Sequence, residues 1–358
     1  MFYLVNGLLL TIASMGFNSK RAENIIYRML WIYLTVILCI RYGQGTDYFG
    51  YYMNYTRGDA HSEFLWKIST EFLFKQGIVF ELFVAIIGFF SMVLIDRFIY
   101  KYSDNKCLSL LVLYPTIYFV YFFSGIRMGF VIATFLGGLV PLLYEKKYLY
   151  YYLLCACLML VHSASIIFIL VPFFIKISRN MQILIMGVSL CLGIVLCYIP
   201  AQLFRPFNIG ALQYYIDDRG IGILSLLEKI FVLALILLFY KKNDVLTGIF
   251  FYAISISFIT VSWQFISSRF YLLCGCTYVV LLANIPRQVN LQKNRNVLWC
   301  LIIMYCFIIL CKNINAYLIQ TSLNGITIFT CPYITIFNKE TYEPILEMMD
   351  LYRKLLRT

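Results

Sequence analysis

Of 358 residues, 62% are hydrophobic and only 13% charged, and the mean hydropathy is +0.82; a soluble domain carries roughly a quarter of its residues as charge. The sequence is therefore read as an integral membrane protein. A net charge of +12, from 29 Lys and Arg against 17 Asp and Glu, would point to nucleic acid in a soluble chain, but here it falls in loops between apolar runs and no nucleic-acid partner is expected.

Taking about 20 apolar residues per span and allowing shorter ones, helices are predicted near 2–17, 25–40, 78–95, 107–124, 127–144, 148–161, 163–177, 181–199, 223–240, 245–262, 270–285 and 297–312. The expectation is an all-α polytopic membrane protein of about twelve spans, one domain over 1–358. The first run lacks a basic leader and is followed by Asn18-Ser19-Lys20-Arg21, so it is kept as a membrane helix rather than a signal peptide. Alternate loops are basic, carrying Lys20, Arg21 and Arg28, then Arg97, Lys101 and Lys106, Lys146 and Lys147, Lys176 and Arg179, Lys241 and Lys242, and Arg287, Lys293 and Arg295. The positive-inside rule makes these cytoplasmic and puts the N-terminus outside.

The other set of loops includes two long ones, 41–77 and 200–222, and beside them the tail 313–358, expected on the same outer face; function is expected there. Within the first, Phe64, Leu65, Ile68, Phe72 and Leu73 recur at helical spacing beside Glu63, Lys67, Glu71 and Lys75, as in a helix lying on the membrane surface. Glu343 to Thr358 has a similar pattern, and Ile314 to Phe337 is weighed as a poor further span.

Carboxylates at membrane depth, which an ion-coupled carrier needs, are nearly missing: Glu81 and Glu228 lie near outer helix ends and Asp96 at an inner one. Arginines, in contrast, collect at the outer boundary: Arg41, Arg127, Arg205, Arg219 and Arg269, with Arg57 farther out. Any one of them could be a snorkelling side chain. As a set, on the side where basic residues are disfavoured, they fit a bidentate grip on phosphate oxygens, and hence a lipid-linked phosphate or pyrophosphate.

Two residues could act as a base. His162, at the junction of two spans, could take a proton from a sugar hydroxyl or could simply cap a helix. Asp47 follows Gly43 and Gly45, which permit a tight turn beside aromatic rings. Tyr48 and Tyr51 could be sugar platforms or interfacial anchors. Neither the Cys-x-Cys pairs 155/157 and 274/276 nor Asp217-Asp218 has convincing ligand spacing, so no metal and no cofactor are expected.

Arg41-Tyr42-Gly43-Gln44-Gly45-Thr46-Asp47-Tyr48 with the tyrosines after it, His61-Ser62-Glu63-Phe64-Leu65, Ser124-Gly125-Ile126-Arg127-Met128-Gly129, Val161-His162-Ser163-Ala164, Ser267-Ser268-Arg269-Phe270 and the late Pro332-Tyr333 together resemble the O-antigen and exopolysaccharide polymerase group, the Wzy-like and EpsG-like membrane proteins. Ser62 and Glu63 stand where that group often has an acidic-Pro-Gly stretch. The resemblance implies a GT-C-like architecture in the bacterial inner membrane, with the active site on the periplasmic face. It also implies a glycosyltransferase that joins undecaprenyl-pyrophosphate-linked oligosaccharide repeat units. Membrane lipids and a chain-length regulator protein are further expected partners. On this reading Arg127 and Arg269 hold pyrophosphate, with Arg41 as support or as part of the loop fold and Arg205 and Arg219 nearby. Asp47 or His162 is the base, and Tyr48 and Tyr51 meet the sugar. A lipid-linked oligosaccharide flippase and an O-antigen ligase are the rival readings.

Overall fold

The computed structural model describes residues 1–15, 19–57, 63–199, 220–289, 291–316 and 327–342. Among them the secondary structure is helical, apart from isolated bridges. The helices are α1 Phe2–Ser14, α2 Lys20–Ile40, α3 Tyr48–Arg57, α4 Phe64–Lys75, α5 Phe80–Tyr102, α6 Lys106–Ser124, α7 Ile126–Tyr144, α8 Tyr148–Met159, α9 Ser163–Phe174, α10 Arg179–Tyr198, α11 Ile223–Phe239, α12 Val245–Ile259, α13 Gln264–Gly275, α14 Tyr278–Gln288 and α15 Gln292–Ile314.

The twelve apolar runs all fall on these helices, but six of the described helices are long and apolar enough to cross a bilayer: α2, α5, α6, α7, α10 and α15. The count becomes seven if α13 and α14, bent by 59° at Cys276-Thr277, are one broken span. α1, α8, α9 and α12 are apolar but short. This corrects the expected helix lengths, because an apolar run of about 12–15 residues rises only about 18–23 Å against an apolar core of roughly 30 Å.

α6 is buried along its whole length and forms the hub. Pro115, which has no N–H to give, starts a π-helical stretch over Tyr114–Ser124. Its carbonyl instead accepts from the Asn313 side chain of α15 at 2.6 Å. Buried tyrosines fasten the hub to its neighbours: the Tyr118 hydroxyl donates to the Leu34 carbonyl of α2 at 2.6 Å, and that of Tyr114 to the Tyr3 carbonyl of α1 at 3.2 Å. Gly125 alone separates α6 from α7.

The two ends of the bundle differ. At one, basic and acidic side chains pair off: Arg28 and the Tyr27 hydroxyl meet Asp96 at 2.6 and 2.7 Å, and Arg287 meets Glu23 at 3.0 Å. The other end carries Arg41, α3, α4 and the described part of the tail. There Tyr42 N–H donates to the Ile334 carbonyl and Ile336 N–H to the Ile40 carbonyl, both at 3.0 Å, so the tail lies antiparallel along the end of α2. Lys339 approaches Glu81 at 3.7 Å. Residues 327–337 are not helical, so the further span weighed at Ile314 to Phe337 does not run through them. Arg205, Arg219, His61, most of the 200–222 loop and Glu343 to Thr358 lie outside the described residues.

Candidate active site at the Arg41 end of the bundle

The loop that carries Gly43 and Gly45 is a tight one. Gly43 and Gly45 have φ of 67° and 99°, and a Cβ on Gly45 would run into the Phe123 carbonyl. Gly45 therefore serves both the turn and the close approach to the end of α6. The Thr46 and Ser124 hydroxyls share a hydrogen bond of 2.6 Å, and Asp47 N–H donates to Ser124 Oγ at 3.3 Å. Asp47 is left exposed at the start of α3.

Arg41 sits beneath this loop. It is 2% exposed, and its guanidinium donates to the Leu38 and Phe122 carbonyls, each at 2.6 Å, while lying 5.1 Å from the Phe123 ring centroid. Its donors close α2 onto the end of α6, which is the loop-fold role among the two that the sequence left open. Tyr48 is fully buried among Tyr42, Phe49 and Phe80. Its ring is a packing element rather than a face open to sugar.

α4 is amphipathic in the manner expected. Phe64, Ile68 and Phe72 are exposed, and Trp66 and Thr70 are buried against the protein. Tyr51 of α3 meets Trp66 edge-on at 6.2 Å, and Trp66 meets Phe83 of α5 at 5.5 Å. The first turn of α4 is pinned to the α8–α9 connection, since Leu65 N–H donates to the Leu160 carbonyl at 2.9 Å.

α8 and α9 form a hairpin with basic residues at both open ends, Lys147 and Lys176, and His162 at its apex. Twelve residues of α8 rise about 18 Å, less than a roughly 30 Å apolar core. His162 caps α9, with Nδ1 accepting from Ala164 N–H at 3.2 Å. With Nδ1 an acceptor, the neutral ring carries its proton on Nε2 and presents a donor, assigned from that hydrogen bond. Burial first, and then the Arg127 charge, push its pKa down to about 4, with Glu63 acting in the opposite sense.

Around this apex the distant segments meet. Arg127, in the first turn of α7, forms an ion pair with Glu63, and both side chains are about one-fifth exposed. The other Glu63 oxygen accepts from Ser163 N–H at 2.8 Å and Ser163 Oγ at 3.0 Å. Burial works to raise the Glu63 pKa, but the Ser163 N–H and the Arg127 charge outweigh it and hold the carboxyl below its usual range. The charges of Arg127 and Arg269 both act on His162, and both act on Tyr51 together with Asp47. Burial leads in pushing the Tyr51 phenol up to about 12. Arg269, in α13, stacks over Phe265 at 4.0 Å.

Arg127 and the start of α9 with His162 thus meet through Glu63, the charges of Arg269 and Asp47 are felt in the same neighbourhood, and Arg41 and Tyr48 are engaged in backbone bonding and ring packing. Two residues were not among the expected site residues. Glu63 stands at the centre of the cluster; the signal for it was an acid directly preceding an amphipathic helix. Lys229 of α11, 4% exposed, donates to Ser267 of α13 at 2.7 Å, two residues before Arg269. The sequence signal was a cation within an apolar helix, a rule applied to carboxylates alone.

The arrangement offers guanidinium charge, a helix N-terminus and a neutral imidazole donor in one place, beside an exposed carboxylate. Such a set can hold an anionic leaving group and accept a proton. No curated protein and no solved structure matches the chain. A family model, that of the EpsG family, matches residues 24–333, from α2 through the Pro332-Tyr333 segment of the tail. The chain belongs to the EpsG family.

Proposed function

We propose that the protein polymerises lipid-linked oligosaccharide repeat units of the O-antigen or exopolysaccharide type, transferring the growing glycan from undecaprenyl pyrophosphate to an incoming unit. The observation that carries this reading is the meeting of Arg127 of α7 with Glu63 and the Ser163 N–H beside His162 at the start of α9, with Arg269 of α13 near enough for its charge to act on His162. Membership of the EpsG family supports it.

In this account the acceptor hydroxyl oxygen attacks the anomeric carbon of the donor sugar. The bond from that carbon to the diphosphate oxygen breaks, and its electron pair leaves with the diphosphate. Arg127 and Arg269 bind the diphosphate and offset the charge that builds on it. Asp47 takes the hydroxyl proton, and His162 donates from Nε2, since its Nδ1 is engaged with Ala164. Tyr51 flanks the sugar, and Arg41 supports the floor. Arg205 and Arg219 are retained as further contacts to the diphosphate. The leaving group is already activated, so the reaction asks for positioning and charge rather than for a metal. The reading places the twelve apolar segments in the bacterial inner membrane in a GT-C-like arrangement, with the site facing outward and a chain-length regulator as a further partner.

The test is Arg127→Ala in purified protein supplied with lipid-diphosphate oligosaccharide. Loss of a contact made in the transition state lowers the rate roughly 30- to 1000-fold, about 2 to 4 kcal/mol. Polymer made at the wild-type rate removes Arg127 from the site. A single transfer by the wild-type protein instead identifies a ligase.

A further inference from the structure

We propose that Glu63 is the resting occupant of a phosphate subsite, holding Arg127 and the Ser163 N–H and Oγ–H until one phosphate group of the lipid diphosphate displaces it. The inference rests on the diphosphate reading of the site. It assigns the subsite its ligands and names what fills them before substrate arrives.

Three observations support the exchange. The first is chemical: the Glu63 carboxylate already collects the donors that a phosphate group would need, a guanidinium from α7 and a backbone N–H and hydroxyl at the start of α9. Carboxylate and phosphate oxygens compete for such donors on similar terms. The second is that the carboxylate leaves the fork incomplete, because Arg127 Nε is buried with no hydrogen-bond partner. A phosphate group, with more acceptor oxygens, can span the guanidinium edge that Glu63 meets through one nitrogen.

The third concerns mobility. Glu63 sits at the N-cap of α4, whose buried side chains are Trp66 and Thr70. Among the described backbone bonds, Leu65 to Leu160 ties this turn to the hairpin. Glu63 makes no side-chain cap bond to its own helix, so its side chain can swing off Arg127 and Ser163 while Trp66 stays buried, leaving the Leu65 to Leu160 bond as the tie that remains. Without some anion at this point, Arg127 would face a half-buried neutral imidazole with its charge unmatched, so a placeholder keeps the empty site intact.

The alternative is that Glu63 positions Arg127 for the ligand, and the two roles predict opposite signs. Binding of inorganic pyrophosphate, in metal-free buffer at fixed salt, is measured by calorimetry on nanodisc-embedded wild-type, Glu63→Gln and Arg127→Ala proteins. A displaced, partly screened ion pair corresponds to an affinity change of about tenfold. Glu63→Gln is expected to bind pyrophosphate about tenfold more tightly than wild type, and Arg127→Ala more weakly. Unchanged or weaker binding by Glu63→Gln overturns the placeholder role while leaving the diphosphate reading intact, provided that Arg127→Ala still weakens binding. Absence of binding to both wild type and Glu63→Gln overturns both. Hydrogen–deuterium exchange on the wild-type protein gives a readout that needs no substitution. Pyrophosphate is expected to speed exchange at the Leu65 and Trp66 amides as Glu63 is released, and slower or unchanged exchange there counts against the exchange.

Discussion

His162 can be separated into its two jobs by substitution. Its Nδ1 caps α9 through Ala164 N–H at 3.2 Å, while the proton left on Nε2 is the group offered to substrate. Asn is among the best N-caps, so His162→Asn replaces the acceptor and abolishes the imidazole donor; His162→Ala removes both. Losing the cap costs about 1 kcal/mol, whereas losing a single donor aimed at developing negative charge costs roughly a hundredfold in rate, near 2.7 kcal/mol. Thermal unfolding followed by intrinsic fluorescence reads the first, and the rate of ladder formation from lipid-diphosphate oligosaccharide reads the second. His162→Asn is expected to unfold near the wild-type temperature with its rate down about a hundredfold, and His162→Ala to lose both. A His162→Asn protein that polymerises at the wild-type rate refutes the donor role and leaves His162 as a cap alone.

Other outcomes follow from the same geometry. The His162 pKa is about 4 in the fold against 6.5 for the free side chain, so the unfolded chain takes up the proton first as pH falls. The associated stability is complete above about pH 6.5 and is lost toward pH 4, about 3 kcal/mol in all; unfolding temperatures measured across that range fall in wild type, and the slope is shallower in His162→Asn. Arg41→Ala strands two buried carbonyls, those of Leu38 and Phe122, and is expected to destabilise the protein by about 3 kcal/mol, read as a lowered unfolding temperature. Gly45→Ala combines a positive φ with a clash against the Phe123 carbonyl. It is expected to cost about 2 kcal/mol or more by the same measurement, with Gly77→Ala, where a Cβ meets open space, costing less.

Much of the fold was legible because hydropathy marks where a chain can shed water. The apolar runs found the helices, the Phe64-Ile68-Phe72 spacing found α4, and the two glycines found the turn at Arg41. The expectation of about twelve spans admitted runs shorter than 20 residues, whereas six or seven of the described helices reach spanning length; between Lys147 and His162 there are too few residues to cross an apolar core as a straight helix. The site was legible in part. Arg127, Arg269 and His162 announce themselves as costly groups at a membrane boundary, but burial depth is a tertiary property, so nothing local separates Arg41, whose donors serve the backbone, from Arg127, which pairs with a carboxylate. Glu63 hides for the same reason. In sequence it is one more acid in a polar loop, and its partners Arg127 and Ser163 come from α7 and α9.

The central claim is glycan polymerisation driven from a diphosphate held by Arg127 and Arg269. Its most direct test supplies purified, nanodisc-embedded protein with lipid-diphosphate oligosaccharide in metal-free buffer and resolves the products by size. The account predicts a ladder of repeat-unit multiples from wild type, with Arg127→Ala and Arg269→Ala each slowed at least about thirtyfold while remaining folded. A ladder formed equally fast by both variants, or no chain growth from the wild-type protein, would contradict it.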